Sequence, residues 1–180
     1  MLTPTPSTLL ALLASLATSI TLCLGFVRTF TWHARFTSDE MGHGPQNRHG
    51  IAVPRVGGAA VGVAGLMGML LLPASAGALG LAVLFVGLPA LVCGLAEDTT
   101  RRVGPLYRLA ATAVGGALAW DVLGAHVAPL GLPSIDLLLG VAALNLLLTL
   151  IVIAGVANAT NIIDGVNGLA SGCLAIMATV

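Results

Sequence analysis

The stretch NATNIIDGVNGL, residues 158–169, sets Asn158, Asn161 and Asp164 three residues apart, then adds Gly165, Asn167 and Gly168. On a continuing helix that spacing spreads the three side chains over about a third of the circumference. The glycines permit a turn or a close backbone approach. Carboxylate and amide oxygens gathered this way suit a hard cation such as Mg²⁺, or the hydroxyls and ring edges of a nucleotide. The plainer alternative is a solvated helix end with an asparagine-rich cap. An ionised aspartate at bilayer depth costs about 2.5–3.5 kcal/mol even on lenient scales, which favours a use for Asp164.

Two more polar clusters carry chemistry-bearing groups. In GLAEDTTRR, residues 94–102, the adjacent acids Glu97 and Asp98 precede Arg101 and Arg102. Neighbouring residues on a helix point about 100° apart, so one acid can face a site while the other faces water or an arginine. The alternative is an interfacial anchor in which an acid pairs with Arg101 or Arg102 along the helix. In HGIAVPRVGG, residues 49–58, His49, Pro54 and Arg55 precede Gly57 and Gly58. With Gly62 and Gly65 these glycines also make a small-residue face for helix packing, and His49 alone reads as a surface histidine. Asn145 reads as a hydrogen-bonding partner for a neighbouring helix. Trp32 and Trp120 read as interfacial anchors, and His126 and Asp121 take no role.

The elements that must hold these clusters are membrane helices. The 180-residue chain has 8% charged residues, no lysine, zero net charge and a mean hydropathy of +1.03. Soluble domains carry about a quarter charged residues, so the bilayer has to solvate part of this chain. The predicted fold is all-α: a polytopic transmembrane helical bundle in one membrane domain over residues 1–180. Five complete spans are expected near 7–27, 52–72, 77–96, 107–124 and 135–157. A sixth begins at Leu169 and is cut short at Val180. Pro73 divides the second span from the third.

All seven arginines (Arg28, Arg35, Arg48, Arg55, Arg101, Arg102 and Arg108) fall at or in the connections 28–55 and 97–108. That bias places residues 31–50 and 97–107 in cytoplasmic loops and the N-terminus outside. Residues 158–168 then return to the cytoplasmic face, so all three polar clusters meet water on one side. Met1–Ser7 lacks a basic start, so the first span is expected to be retained. Cys23, Cys93 and Cys173 lie in apolar runs and read as small buried hydrophobes. Nothing in the chain is patterned for nucleic acid.

In this order, GPQNRHGIAVPRVGG, GLAEDTTRRVGPLYRL and NATNIIDGVNGLASG, the motifs resemble those of the polyprenyl-phosphate N-acetylhexosamine-1-phosphate transferases, glycosyltransferase family 4. The resemblance covers residues 33–172, and its last motif matches the family pattern at every position. It implies a fold of about ten transmembrane helices, of which this chain is the N-terminal part. It also implies transfer of a sugar-1-phosphate from a UDP-sugar to undecaprenyl phosphate with release of UMP, in synthesis of a cell-envelope polysaccharide or lipopolysaccharide. The expected location is the bacterial inner membrane, with a cytoplasmic site and Mg²⁺ or Mn²⁺ as cofactor. A homodimer is among the assemblies it allows.

Residue by residue, the resemblance makes Asp98 the acid that engages the lipid phosphate, Asn161 a metal ligand and Asn167 a contact to the nucleotide base. Asp164 matches an aspartate important for activity. Glu97 stands where the family has aspartate and remains a candidate catalytic carboxylate. His49, Arg55, Arg102 and Asn158 complete the expected substrate-binding set. Family chains are about twice this length and carry further loops, so the 180 residues alone are expected to lack turnover. The rival readings are half of a membrane transporter, with ionisable groups at the midplane, and a non-catalytic membrane scaffold.

Overall fold

A computed structural model describes residues 5–32, 56–100, 102–163, 171–173 and 176, with only the backbone for 161–163. Among these residues there is no strand. The main helices follow in order: α1 (Pro6–Arg28), α2 (Gly57–Leu71), α3 (Ala74–Thr100), α4 (Pro105–Leu123), α5 (Pro133–Leu139) and α6 (Ala142–Ile163). They stand as a row in which α1 packs on α2, α2 on α3, α3 on α4 and α4 on α6, with α5 against α6.

Small residues explain why neighbours in the row come close. Lipid tails are as apolar as leucine, so membrane helices associate through tight packing rather than hydrophobic collapse. The glycine face expected on α2 lies against α3, with Gly58 and Gly62 facing Leu91 and Gly65 facing Leu84. On the next face of α2, Gly68 leaves room for Ser15 of α1, whose hydroxyl donates to Ala64 O at 2.7 Å. Leucines, valines and isoleucines point outward along α1, α3 and α6, as a lipid-facing surface requires.

The chain is an integral membrane protein whose span count differs from expectation. Among the described residues, three helices are long and apolar enough to cross: α1, α3 and the part of α6 from Ala142 to Thr160. The 15 residues of α2 rise only about 22 Å against a hydrocarbon core of about 30 Å. In α4, Arg108 and Asp121 replace apolar residues near the two ends. The piece expected from Leu169 is described only at 171–173, which are helical, and at 176.

The fifth span is also corrected. A crossing helix is present within the expected 135–157 stretch, but it begins only at Ala142, after a break at Gly140–Val141, and runs on to Ile163. Asn145 supplies the reason. Its Nδ2 donates to Leu139 O at 3.0 Å, occupying a carbonyl that an unbroken helix would offer to the N–H of residue 143. The same amide donates to Val127 O and accepts from Val127 N, both at 3.1 Å. Asn145 therefore bonds the end of the neighbouring helix α5, as expected, and also ties the segment after α4 to the break. Thr149 completes the node by donating to Asn145 Oδ1 at 3.3 Å.

Asn145 and Thr149 are both buried, so these bonds lie away from water. Asn145→Ala is expected to lower stability by about 2 kcal/mol, because three backbone groups lose their partner at once. Thr149→Val removes a single donor and should cost about 0.5 kcal/mol. Thermal unfolding in detergent, followed by circular dichroism, checks the order and the size of the two effects.

Candidate active site

The C-terminal end of α3, the N-terminal end of α4 and the C-terminal end of α6 meet at one end of the row. Between them lies a cleft of about 210 Å³, lined by Ala90 and Gly94 of α3, Arg108, Leu109 and Thr112 of α4, and Ala157 and Asn158 of α6. Gly94 of one polar cluster and Asn158 of another thus line one cavity, from segments more than fifty residues apart, although neither Glu97 nor Asp98 lines it.

The floor of the cleft is set by α4. Gly115 lets Val86 O of α3 approach so closely that a Cβ at 115 would stand 2.9 Å from it. The adjacent Gly116 faces Leu150 and Ile153 of α6. Among the described residues α3 and α6 do not pack on each other, so the space above these glycines stays open. Pro89, one residue before the cleft wall begins at Ala90, removes an N–H from the ladder of α3 and leaves Phe85 O without its helical donor.

The chemistry of the lining is uneven. Alanines, glycine and leucine give apolar walls, while Arg108 and Asn158 bring a cation and an amide. The hydroxyl of Thr112 donates back to its own helix, to Arg108 O at 3.1 Å and Leu109 O at 2.8 Å. Arg108 Nη1 stands 2.9 Å from Glu97 Oε2, with the two side chains 33% and 20% exposed. Such a partly exposed pair contributes roughly 1 kcal/mol or less to stability. Its larger consequence is geometric, since it fixes a guanidinium at the wall of a cavity. A cavity with apolar walls and a cation suits an amphiphile with an anionic head.

The expected site residues fall into three groups. Glu97, Asp98 and Asn158 are at the cleft end of the row, with Asp98 half-buried next to Glu97 in the last turn of α3. Arg102 lies exposed in the connection between α3 and α4, where its N–H donates to Thr100 Oγ1 at 3.4 Å, and it does not line the cleft. Asn161 sits in the last turn of α6, at the same end, with its side chain outside the described residues. His49, Arg55, Asp164 and Asn167 also lie outside them.

Sequence reasoning left open whether one acid faces a site or pairs with Arg101 or Arg102 along the helix; Glu97 instead reaches across to Arg108 of α4. Thr112 was missed. Its spacing of four residues from Arg108 was the available signal, because i and i+4 share a helix face. Among the described residues no three His, Cys, Asp or Glu side chains gather to hold a metal ion. A metal set there would draw on Asn161 and Asp164, which are not described at side-chain level.

The family model described as glycosyl transferase family 4 matches residues 80–180, more than half of the chain. The match takes in both walls and the floor of the cleft. No curated protein and no solved structure matches the chain.

Proposed function

We propose a specific reaction on the premise that this chain belongs to glycosyl transferase family 4, whose members are membrane transferases acting on polyprenyl phosphate with a sugar-nucleotide donor. The reaction is transfer of N-acetylhexosamine-1-phosphate from a UDP-sugar to undecaprenyl phosphate, with UMP as the leaving group. The proposed setting is the cytoplasmic face of a bacterial inner membrane, with the N-terminus outside, in synthesis of a cell-envelope polysaccharide. The observation that supports it best is the cleft itself. There Asn158 of α6 and Arg108, held by Glu97, line one cavity with apolar walls.

The residue types fit the chemistry. A phosphate monoester has a second pKa near 6, so the lipid phosphate is largely dianionic at neutral pH. One of its oxygens bonds to the sugar-bearing phosphorus while the bond from that phosphorus to the oxygen of UMP breaks, and UMP departs with the electron pair. The main obstacle is repulsion between two anions, so the site has to provide positive charge and alignment. Arg108 provides charge at the cleft wall. Asp98, beside Glu97, orients the lipid phosphate or takes its remaining proton. Asn158 and Asn167 hold the nucleotide, with His49, Arg55 and Arg102 as further contacts to the donor. Asp164 supports the site beside Asn161. A divalent cation, Mg²⁺ or Mn²⁺, held by Asn161 with neighbouring acids would neutralise diphosphate charge when bound.

Displacement is direct in this scheme, without an aspartyl intermediate. A labelled phosphoryl group trapped on Asp98 overturns it. Membranes carrying the protein expressed from its own gene, given UDP-N-acetylglucosamine, undecaprenyl phosphate and Mg²⁺, should release UMP in step with lipid-linked sugar. Asp98→Asn should lower that rate by about 10²- to 10⁴-fold, the usual contribution of a positioned acid–base group. Absence of both products from the unmodified protein refutes the proposal.

A further inference from the structure

We infer that Glu97 is a positioning residue: it acts on the bound anion through Arg108, by holding the guanidinium at the wall of the cleft. The inference rests on the transferase reading above and deepens it for one residue. Glu97 is not among the residues that line the cleft, whereas Arg108 is. The Glu97 carboxylate, 20% exposed, stands 2.9 Å from Arg108 Nη1. The carboxylate therefore contacts the guanidinium, and the guanidinium contacts the cavity.

The geometry of the two side chains makes this a useful arrangement. A guanidinium carries five N–H donors in one rigid plane, so a carboxylate on one nitrogen fixes that plane and leaves other donors for a second anion. An unheld arginine would lose side-chain freedom on binding, which weakens the binding of the anion. Glu97 restricts that freedom before the ligand arrives. The family resemblance has aspartate at this position. In this chain the extra methylene carries the carboxylate from α3 across to α4. Shortening it draws the oxygens back by about 1.5 Å, which turns a direct contact into a water-filled gap.

Glu97→Asp is therefore the informative substitution, since it keeps the charge and removes only the reach. The probe is farnesyl phosphate, with farnesol as the uncharged control, titrated calorimetrically into the 180-residue chain in phosphatidylcholine nanodiscs. The unmodified chain should prefer farnesyl phosphate over farnesol. Glu97→Asp should weaken farnesyl phosphate binding about five- to tenfold and leave farnesol unchanged, a coupling of the size usual for residues in direct contact. In an Arg108→Gln background the same Glu97→Asp change should have an effect of less than about twofold, because there is no guanidinium left to position.

Three results overturn the inference while the transferase reading stands. They are no effect of Glu97→Asp, an equal loss for both ligands (a structural role), or a loss that persists in the Arg108→Gln background (direct action). Failure of the unmodified chain to prefer the phosphate removes the cleft as a lipid-phosphate site. That result overturns both readings together.

Discussion

Arg108→Glu should reduce UMP release in membranes about a thousandfold, while helix content and membrane insertion stay unchanged. Removing one preorganised donor from a site where charge develops typically costs 10²–10³ in rate. This substitution also reverses the sign, placing a second carboxylate beside Glu97 at the wall where the anions must meet. The effect on stability is smaller. The Glu97–Arg108 pair is 33% and 20% exposed, and solvent screening holds pairs of that kind to roughly 1 kcal/mol or less. A thousandfold rate loss corresponds to about 4 kcal/mol of transition-state stabilisation, so partial unfolding cannot account for it. Arg28→Gln is the control. Arg28 ends α1, at the same end of the row but on a helix that packs only on α2 among the described residues. It should alter the rate by less than about twofold, since charges beyond a Debye length of about 8 Å are largely screened. Activity retained by Arg108→Glu would remove the cleft from the reaction.

The gathering of the polar clusters at one end was legible because two signals agree. Apolar stretches give the number of crossings between clusters, and the arginines gather in the connections at the ends of those crossings. Arg108 and Asn158 line one cleft, and Glu97 touches Arg108 beside it. The break at Gly140–Val141 was not legible, because the sequence there is apolar on both sides and hydropathy carries no information on continuity. What breaks the helix is the side chain of Asn145, bonded to Leu139 O and to Val127 in a segment eighteen residues away. Long-range hydrogen bonds of that kind leave no periodic trace. The Glu97–Arg108 contact was hidden for a related reason. Helical spacing brings residues four apart to mind, but the packing of α4 on α3 brings residues eleven apart into contact. Gly58, Gly62 and Gly65 of α2 were readable as a packing face because they recur on one side of the helix, whereas Gly57, expected in the same face, meets nothing within 4 Å. The adjacent pair Gly115–Gly116, which serves two different neighbours, follows no such repeat.

Gly115→Leu should both destabilise the protein, by about 3 kcal/mol, and abolish farnesyl phosphate binding in nanodiscs. A Cβ at position 115 would sit 2.9 Å from Val86 O, a backbone atom within α3 that cannot rotate aside. The helices must separate, and the remaining leucine atoms enlarge the gap. Because α3 and α4 supply five of the seven residues lining the cleft, separating them moves the Gly94 wall away from Arg108. Gly116→Ala is a discriminating comparison. Its Cβ would stand 2.9 Å from Leu150 Cδ2, the far end of a side chain with other rotamers. The cost should stay below about 1 kcal/mol, with binding nearly intact. Gly87→Ala, on α3 with nothing within 4 Å of its added Cβ, should be neutral or slightly stabilising, since alanine favours a helix by up to about 1 kcal/mol over glycine. Thermal unfolding in detergent ranks the three substitutions. If Gly115→Leu unfolds no earlier than Gly116→Ala, the close approach of α4 to Val86 does not hold the walls together, and the cleft must owe its shape to something other than the contact beneath it.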